Sequence, residues 1–193
     1  YDWSGSAWTQ RGIDIDGEAA GDQSGISVTL SADGNTVAIG AFGNDGNGSF
    51  SGHVRIYDWS GSTWTQRGLD IDGEAPLDFS GQSVSLSASG NTVAIGAYLN
   101  DGNGADSGHT RIYDWSGSAW TQRGIDIDGE ASTDSSSFSI SLSADGNTVA
   151  IGAPYNSGNG PDSGHTKVFR WDGDKYIRIE VNGVPYNFRI YPV

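Results

Sequence analysis

Neither cysteine nor methionine occurs anywhere in the 193 residues. Without cysteine there is no disulfide framework, no thiol nucleophile and no thiolate metal centre. Basic residues are few, ten Lys and Arg against 24 Asp and Glu, for a formal net charge of −14. Such an excess of acid repels phosphate backbones and attracts cations, so nucleic acid is not an expected partner. No stretch approaches the roughly 20 consecutive apolar residues of a spanning helix, and no basic-plus-apolar leader opens the chain, so membrane insertion is not expected. Helical repeats are excluded as well, because no segment shows a 3.6-residue apolar period free of glycine. Because Tyr1 is not a translational start, the expectation is a processed chain or a piece of a longer one.

What the sequence has in quantity is glycine, 30 residues, without the every-third spacing of collagen. Much of it recurs with a period of 56. The string YDWSGSxWTQRG begins at Tyr1, Tyr57 and Tyr113, TVAIGA at Thr36, Thr92 and Thr148, and SGH ends at His53, His109 and His165. Residues 57–112 and 113–168 are identical at 41 of 56 positions with no insertion. The charge follows the repeat: residues 1–169 hold 21 acids and six bases, whereas 170–193 hold three acids and four bases.

Within a unit the pattern is that of strands. Ser27–Ser31 alternates with period two, Ala32-Asp33-Gly34-Asn35 supplies turn chemistry, and Thr36–Ala41 alternates again, which predicts a hairpin. Val37 and Ile39 share one face while Ala38 and Gly40 leave the other slim, as a sheet packed on both sides requires. A Gly/Asn-rich loop, Asn44–Ser51, leads to a strand His53–Trp59, a tight turn at Ser60-Gly61-Ser62 and a fourth strand around Thr63–Arg67; Gly68–Ser80 then connects to the next unit. The expected fold is all-β: three tandem four-stranded antiparallel propeller-like blades over 1–171 (units 1–56, 57–112 and 113–168). A β-solenoid has shorter coils without paired hairpins and ranks second. Residues 172–193 abandon the repeat and predict a β-hairpin about Asn182-Gly183, a capping or assembly segment.

The runs Ser137–Leu142, Ile151-Gly152-Ala153-Pro154 and Ser163–Phe169 resemble the FG-GAP repeat of integrin-α-type propellers. There, a Gly-x-Ser-Val strand precedes Val-x-Gly-Ala-Pro and Gly-x-Val-x-Val-Phe strands. The resemblance implies a propeller blade and covers about 1–171. That family's Asp-rich calcium loop is reduced here to Ala144-Asp145-Gly146-Asn147, so its metal site does not carry over. The YDWSGSxWTQRG segment resembles tandem repeats of large secreted or surface proteins of microbes, which implies an extracellular or cell-surface location.

Candidate functional residues are repeated too. Asp14, Asp16, Glu18 and Asp22, with Asp70, Asp72, Glu74 and Asp78 and with Asp126, Asp128, Glu130 and Asp134, offer hard oxygen ligands, calcium being the candidate ion. The competing reading is a solvated turn whose acids serve as caps. The three histidines suggest a metal site, but equivalent positions of consecutive blades lie far apart, so we expect each imidazole to pack and hydrogen-bond locally. The Trp pairs are expected to pair across strands rather than to form sugar platforms. Asn47-Gly48-Ser49 is the single glycosylation sequon.

No asymmetric constellation of acid, base and nucleophile is present, so the chain is not expected to be an enzyme. Three blades are too few to close a ring of 4–8. The leading expectation is therefore a non-catalytic extracellular structural repeat protein that joins copies of itself head to tail into a fibre or larger propeller array, with Tyr1, Trp3, Ile177, Ile179, Val181, Tyr186, Phe188 and Ile190 as assembly residues. The alternative is an adhesion module that recognises a glycan or surface protein through its inter-strand loops, with calcium.

Overall fold

The computed structural model describes residues 1–171 and the backbone of two further strands, 176–181 and 184–189. Ile190 and the Asn182-Gly183 turn lie outside the described residues. The described chain is all β. A short ribbon, β1 (Asp2–Trp3) with β2 (Trp8–Thr9), precedes three antiparallel sheets of five strands each.

The first sheet orders β3 (Ser27–Leu30), β4 (Thr36–Ala41), β5 (His53–Trp59) and β6 (Trp64–Gln66), and β7 (Ile71–Asp72) also pairs with β5. The second repeats it with β8 (Ser80–Leu86), β9 (Thr92–Ala97), β10 (His109–Trp115), β11 (Trp120–Gln122) and β12 (Ile127–Asp128). The third runs β13 (Ser139–Leu142), β14 (Thr148–Ala153), β15 (His165–Trp171), β16 (Tyr176–Val181) and β17 (Val184–Arg189) in chain order. The divergent tail is thus a hairpin added to the edge of the third sheet, with Phe169 opposite Ile179 where Tyr57 faces Gln66. The first two sheets each straddle two of the 56-residue units and the third straddles the last unit and the tail, since the phase of a repeat is arbitrary in sequence and is set by pairing in space.

The predicted turns form for local reasons. At Ser31–Thr36 the backbone closes with Ser31 N–H donating to Thr36 O (2.9 Å), and Gly34 takes a positive φ of 67° that a side chain would resist. Asp33 accepts from Ser31 Oγ (2.6 Å) and from Asn35 N–H (3.0 Å), and these bonds hold its carboxyl down at about 2. At the other end of the blade, Ser60 Oγ accepts from Thr63 N–H (3.0 Å) and Gly61 sits at φ 97°.

Adjacent sheets lie face to face around two apolar clusters. Ala38, Val54, Ile56 and Ile71 of the first sheet meet Val84, Leu86, Val93, Ile95 and Tyr113 of the second, and Ala94 and Ile127 meet Leu142, Val149, Ile151 and Phe169 of the third. The slim face predicted for TVAIGA is where the backbones come closest. A Cβ on Gly40 would stand 2.0 Å from the Gly81 carbonyl oxygen, and one on Gly96 2.6 Å from that of Ser137. Polar bonds cross the same seam: Ser27 Oγ to Gly81 O (2.7 Å), Ser83 Oγ to Ser137 O (2.6 Å), and the turn amides Ala32 N to Ala88 O and Ala88 N to Ala144 O (both 2.9 Å).

The tryptophans pair as expected, at 5.3 Å for Trp59–Trp64 and for Trp115–Trp120, but they also join neighbouring units. Trp64 Nε1 donates to Arg11 O (2.9 Å) and Trp120 Nε1 to Arg67 O (2.8 Å), while the Arg67 guanidinium lies 5.0 Å from the Trp115 ring. Gly40 has an ordinary strand backbone, so Gly40→Ala tests the close approach alone. It is expected to lower stability by about 1–3 kcal/mol, seen as a reduced urea midpoint.

Candidate functional site

The acidic connections between sheets are built by alternation. In Asp70-Ile71-Asp72 the isoleucine enters the core, with Ile71 opposite Val54 and Asp72 opposite His53, so both acids stay at the rim. Ile127 repeats this against Thr110. Each connection then turns, and its last acid folds inward.

The four acids of one set separate onto different partners. Asp22, Asp78 and Asp134 are buried and structural: Asp78 Oδ2 accepts from Ala75 N–H (3.0 Å) and Asn100 Nδ2 (3.1 Å), and the other two repeat those bonds. Asp14 accepts from Gln10 Nε2 (2.7 Å) and is exposed. Asp16 is exposed and offers its backbone carbonyl to Arg55 Nη2 (2.8 Å), as Asp72 does to Arg111. Burial raises the carboxyl pKa of Asp128, and neighbouring Asp126 raises it further.

Acids from consecutive sets come together instead. Glu18 and Asp70 meet His53, and Glu74 and Asp126 meet His109, with the His nitrogen and carboxylate oxygens of each trio all within 4.8 Å of one another. His53 Nδ1 stands 3.6 Å from Asp70 Oδ2 and 3.8 Å from Glu18 Oε2, and the His109 distances are the same. The other carboxylate oxygens are held from behind: Glu18 Oε1 by Arg55 Nη1 (3.3 Å) and Asp70 Oδ1 by Gln66 Nε2 (2.6 Å). Arg111 (3.2 Å) and Gln122 (2.6 Å) do the same for Glu74 and Asp126. Burial holds the His109 imidazole down at about 4, with Arg111 lowering it further and Asp126 and Asp78 opposing. Burial likewise raises Glu74, against the pull of Arg111. In the third copy His165 faces Glu130 at 3.7 Å and Lys167 pairs with the same carboxylate.

The three histidines do not converge, as expected, but the expected local hydrogen bonds are absent among the described residues: each imidazole faces carboxylate oxygens at 3.6–3.8 Å instead. His53 is buried and its Nδ1 has no hydrogen-bond partner. Sequence reading missed the trios because each joins a connection, the third strand of the sheet it leads into and the following connection, a combination visible in no single motif.

Asn47 is exposed, yet its Nδ2, the atom a glycan would take, donates to Gly73 O (2.8 Å) and Glu74 O (3.0 Å). Asn103, which has no sequon, makes the same pair of bonds to Gly129 and Glu130. In the same loop Asp45 Oδ1 accepts from Phe50 N–H (2.8 Å), fixing Phe50 at φ 55°; Asp101 serves Asp106 likewise. In the third copy the equivalent residue is Ser157, whose Oγ accepts from Asp162 N–H (3.2 Å) in place of the carboxylate.

A row of aromatic rings was not anticipated. Phe42, Phe79, Tyr98, Phe138 and Tyr155 follow one another across the three sheets with centroids 5.4, 5.8, 5.6 and 6.5 Å apart, and Phe50 stacks on Phe79 at 5.5 Å. Only Phe42 and Tyr98 are 56 residues apart, so a search by period hides the row. Of the assembly candidates, Tyr1 and Trp3 are exposed, Trp3 packing tilted against Trp8 at 5.4 Å. Ile177, Ile179 and Val181 lie on β16, and Tyr186 and Phe188 on β17.

Residues 69–113 match the FG-GAP repeat, from the end of the first sheet into β10 of the second. No protein of curated function matches the sequence. Solved structures similar at low identity include the following three. Hydrazine synthase of Kuenenia stuttgartiensis is 14% identical with a TM-score of 0.47, over 94% of this chain and 38% of that one. A protein of Bacteroides uniformis assigned as a 6-phosphogluconolactonase is 12% identical with a TM-score of 0.53, over 85% and 54%. The tricorn protease is 12% identical with a TM-score of 0.44, over 75% and 13%. The chain therefore spans about half or less of each of these structures. Among the described residues, no helix is long and apolar enough to cross a membrane.

Removing a buried acid tests the structural assignment. Asp78→Ala strands the Asn100 amide and the Ala75 N–H, and is expected to cost about 2–3 kcal/mol in urea denaturation, with or without calcium.

Proposed function

We propose that the chain is a non-catalytic structural module of extracellular or cell-surface material, whose FG-GAP-like blades stack head to tail with those of further copies into a fibre or larger propeller array. One observation carries this reading: the faces left open at the two ends of the array are repeat equivalents of faces buried inside it. On β3, Val28 and Leu30 are 64% and 58% exposed, whereas their counterparts Val84 and Leu86 are 8% and 6% exposed against the first sheet. At the far end Val168 is 43% exposed, whereas Ile56, two units earlier, is buried. A second copy therefore finds on each end a surface already shaped for its own opposite end. Contacts of this heterologous kind propagate until they close on themselves.

A non-catalytic role is supported by the recurrence of the charged and hydrogen-bonded constellations from unit to unit, since a catalytic acid and base need distinct environments. The extracellular assignment rests on the FG-GAP match and on the surface-protein character of the YDWSGSxWTQRG segment.

The aromatic row favours a second reading, an adhesion module that binds a glycan or surface protein. Phe50, Phe138 and Tyr155 present exposed ring surface on which sugars stack. Glycan-array binding by a monomeric chain, abolished by Phe138→Ala with Tyr155→Ala, would put this reading first.

Light scattering of the full chain tests the proposal. Its mass is expected to rise with concentration, and Val28→Asp with Leu30→Asp is expected to keep it monomeric, because two carboxylates cannot be desolvated against the open apolar face. A wild-type chain that stays monomeric throughout the micromolar range would overturn it.

A further inference from the structure

We propose that Glu18, His53 and Asp70, and again Glu74, His109 and Asp126, each bind one divalent transition-metal ion of the zinc class, clipping the incoming connection to its sheet. The inference goes beyond the assembly reading and does not rest on it, since each trio lies within one chain.

The first support is the unpartnered nitrogen. His53 is 1% exposed and its Nδ1 has no hydrogen-bond partner, yet it is aimed between two carboxylate oxygens. A buried polar atom left in this way is unfavourable unless something else satisfies it. At 3.6 and 3.8 Å the oxygens are too far for an N–H···O bond, which spans about 2.7–3.2 Å. They are at the right separation for ligands of one ion. Bonds of about 2.0–2.2 Å in a tetrahedral arrangement place neighbouring ligand atoms roughly 3.4 Å apart. The two carboxylate oxygens lie within 4.8 Å of each other, so side-chain rotation of these partly exposed acids closes the trio on a metal.

The second support is the shell behind the ligands. Each carboxylate gives one oxygen to the trio and the other to a fixed donor, Arg55 for Glu18 and Gln66 for Asp70. Outer partners of this kind orient metal ligands. Arg111 and Gln122 reproduce the arrangement around Glu74 and Asp126. The Arg55 charge is directed to Glu18 Oε1 and the Asp16 carbonyl, and two carboxylates against one guanidinium still leave a net negative site for the ion.

The ligand chemistry selects the ion. One imidazole with two carboxylates suits zinc-like ions, whereas calcium takes six to eight oxygens and magnesium keeps much of its water. Three protein ligands leave a fourth position for water, and the carboxylates are 45% and 27% exposed, so the ion reaches the site from solvent.

The test strips the full chain with a chelator and titrates it with Zn²⁺ by calorimetry and with Co²⁺ by visible absorption. The H53A and H109A single variants are each expected to lose one equivalent of bound Zn²⁺ relative to wild type, and the double variant to lose two. Asp70→Asn with Asp126→Asn keeps the side-chain shapes and is expected to weaken Zn²⁺ at least tenfold, with the far-UV spectrum unchanged. Zn²⁺ should raise the wild-type Tm and leave that of the double His variant unmoved. Equal Zn²⁺ uptake by wild type and the double His variant, no uptake by wild type, or uptake of Ca²⁺ in place of Zn²⁺ would each overturn the proposal.

Discussion

Everything in this molecule depends on how closely one sheet lies on the next. At the seam there is no room for a side chain: Gly40 faces the Gly81 carbonyl, Gly96 faces that of Ser137, and serine hydroxyls bond directly to backbone oxygens across the gap. Contact at that distance lets the bulky residues beside it, Ile56, Val84, Leu86 and Ile95, fill a thin but dry layer. A core built between sheets has a further consequence. No sheet completes its own core, so the first and last sheets present unfinished faces, and Val28 and Leu30 lie in solvent where Val84 and Leu86 do not.

The same spacing organises the polar chemistry. Because each connection crosses from one sheet to the next, its acids serve two neighbours. Glu74 leaves the first sheet and meets His109 and Arg111 of the second, while Asp78, four residues on, turns inward to cap Ala75 and hold Asn100. One acidic motif is thereby divided into a buried structural residue, Asp78, a rim residue, Asp72, and members of two histidine trios, Asp70 and Glu74. The tryptophan pairs divide in the same manner. Trp115 and Trp120 pair within a turn, and Trp120 also reaches back to the Arg67 carbonyl of the previous unit. Contacts of this kind tie each unit to its neighbour, so the repeats form one continuous array rather than independent beads.

Much of this was legible beforehand because it is local. Alternation in Thr36–Ala41, turn residues at Asp33-Gly34-Asn35 and the period of 56 identify strands, hairpins and repeats, and His53–Trp59 is a strand with the expected limits. The Glu–His–Asp trios were not legible. Their members are separated by 35 residues from Glu18 to His53 and 17 from His53 to Asp70, and each belongs to a motif with its own local explanation. The aromatic row escaped for the opposite reason: its rings occupy unequal repeat positions and become neighbours only when the sheets stack.

The sequence by itself determined the all-β class, the strands of each unit, the threefold copying and the slim face of TVAIGA, since these follow from side-chain alternation and turn chemistry within a few residues. Only the tertiary structure decided where a blade begins, that the divergent tail replaces a lost edge strand, and which acids share a histidine. Pairing register and sheet-to-sheet distance fix those points, and both are properties of residues about 20–60 positions apart, meeting across a gap that a local pattern does not encode.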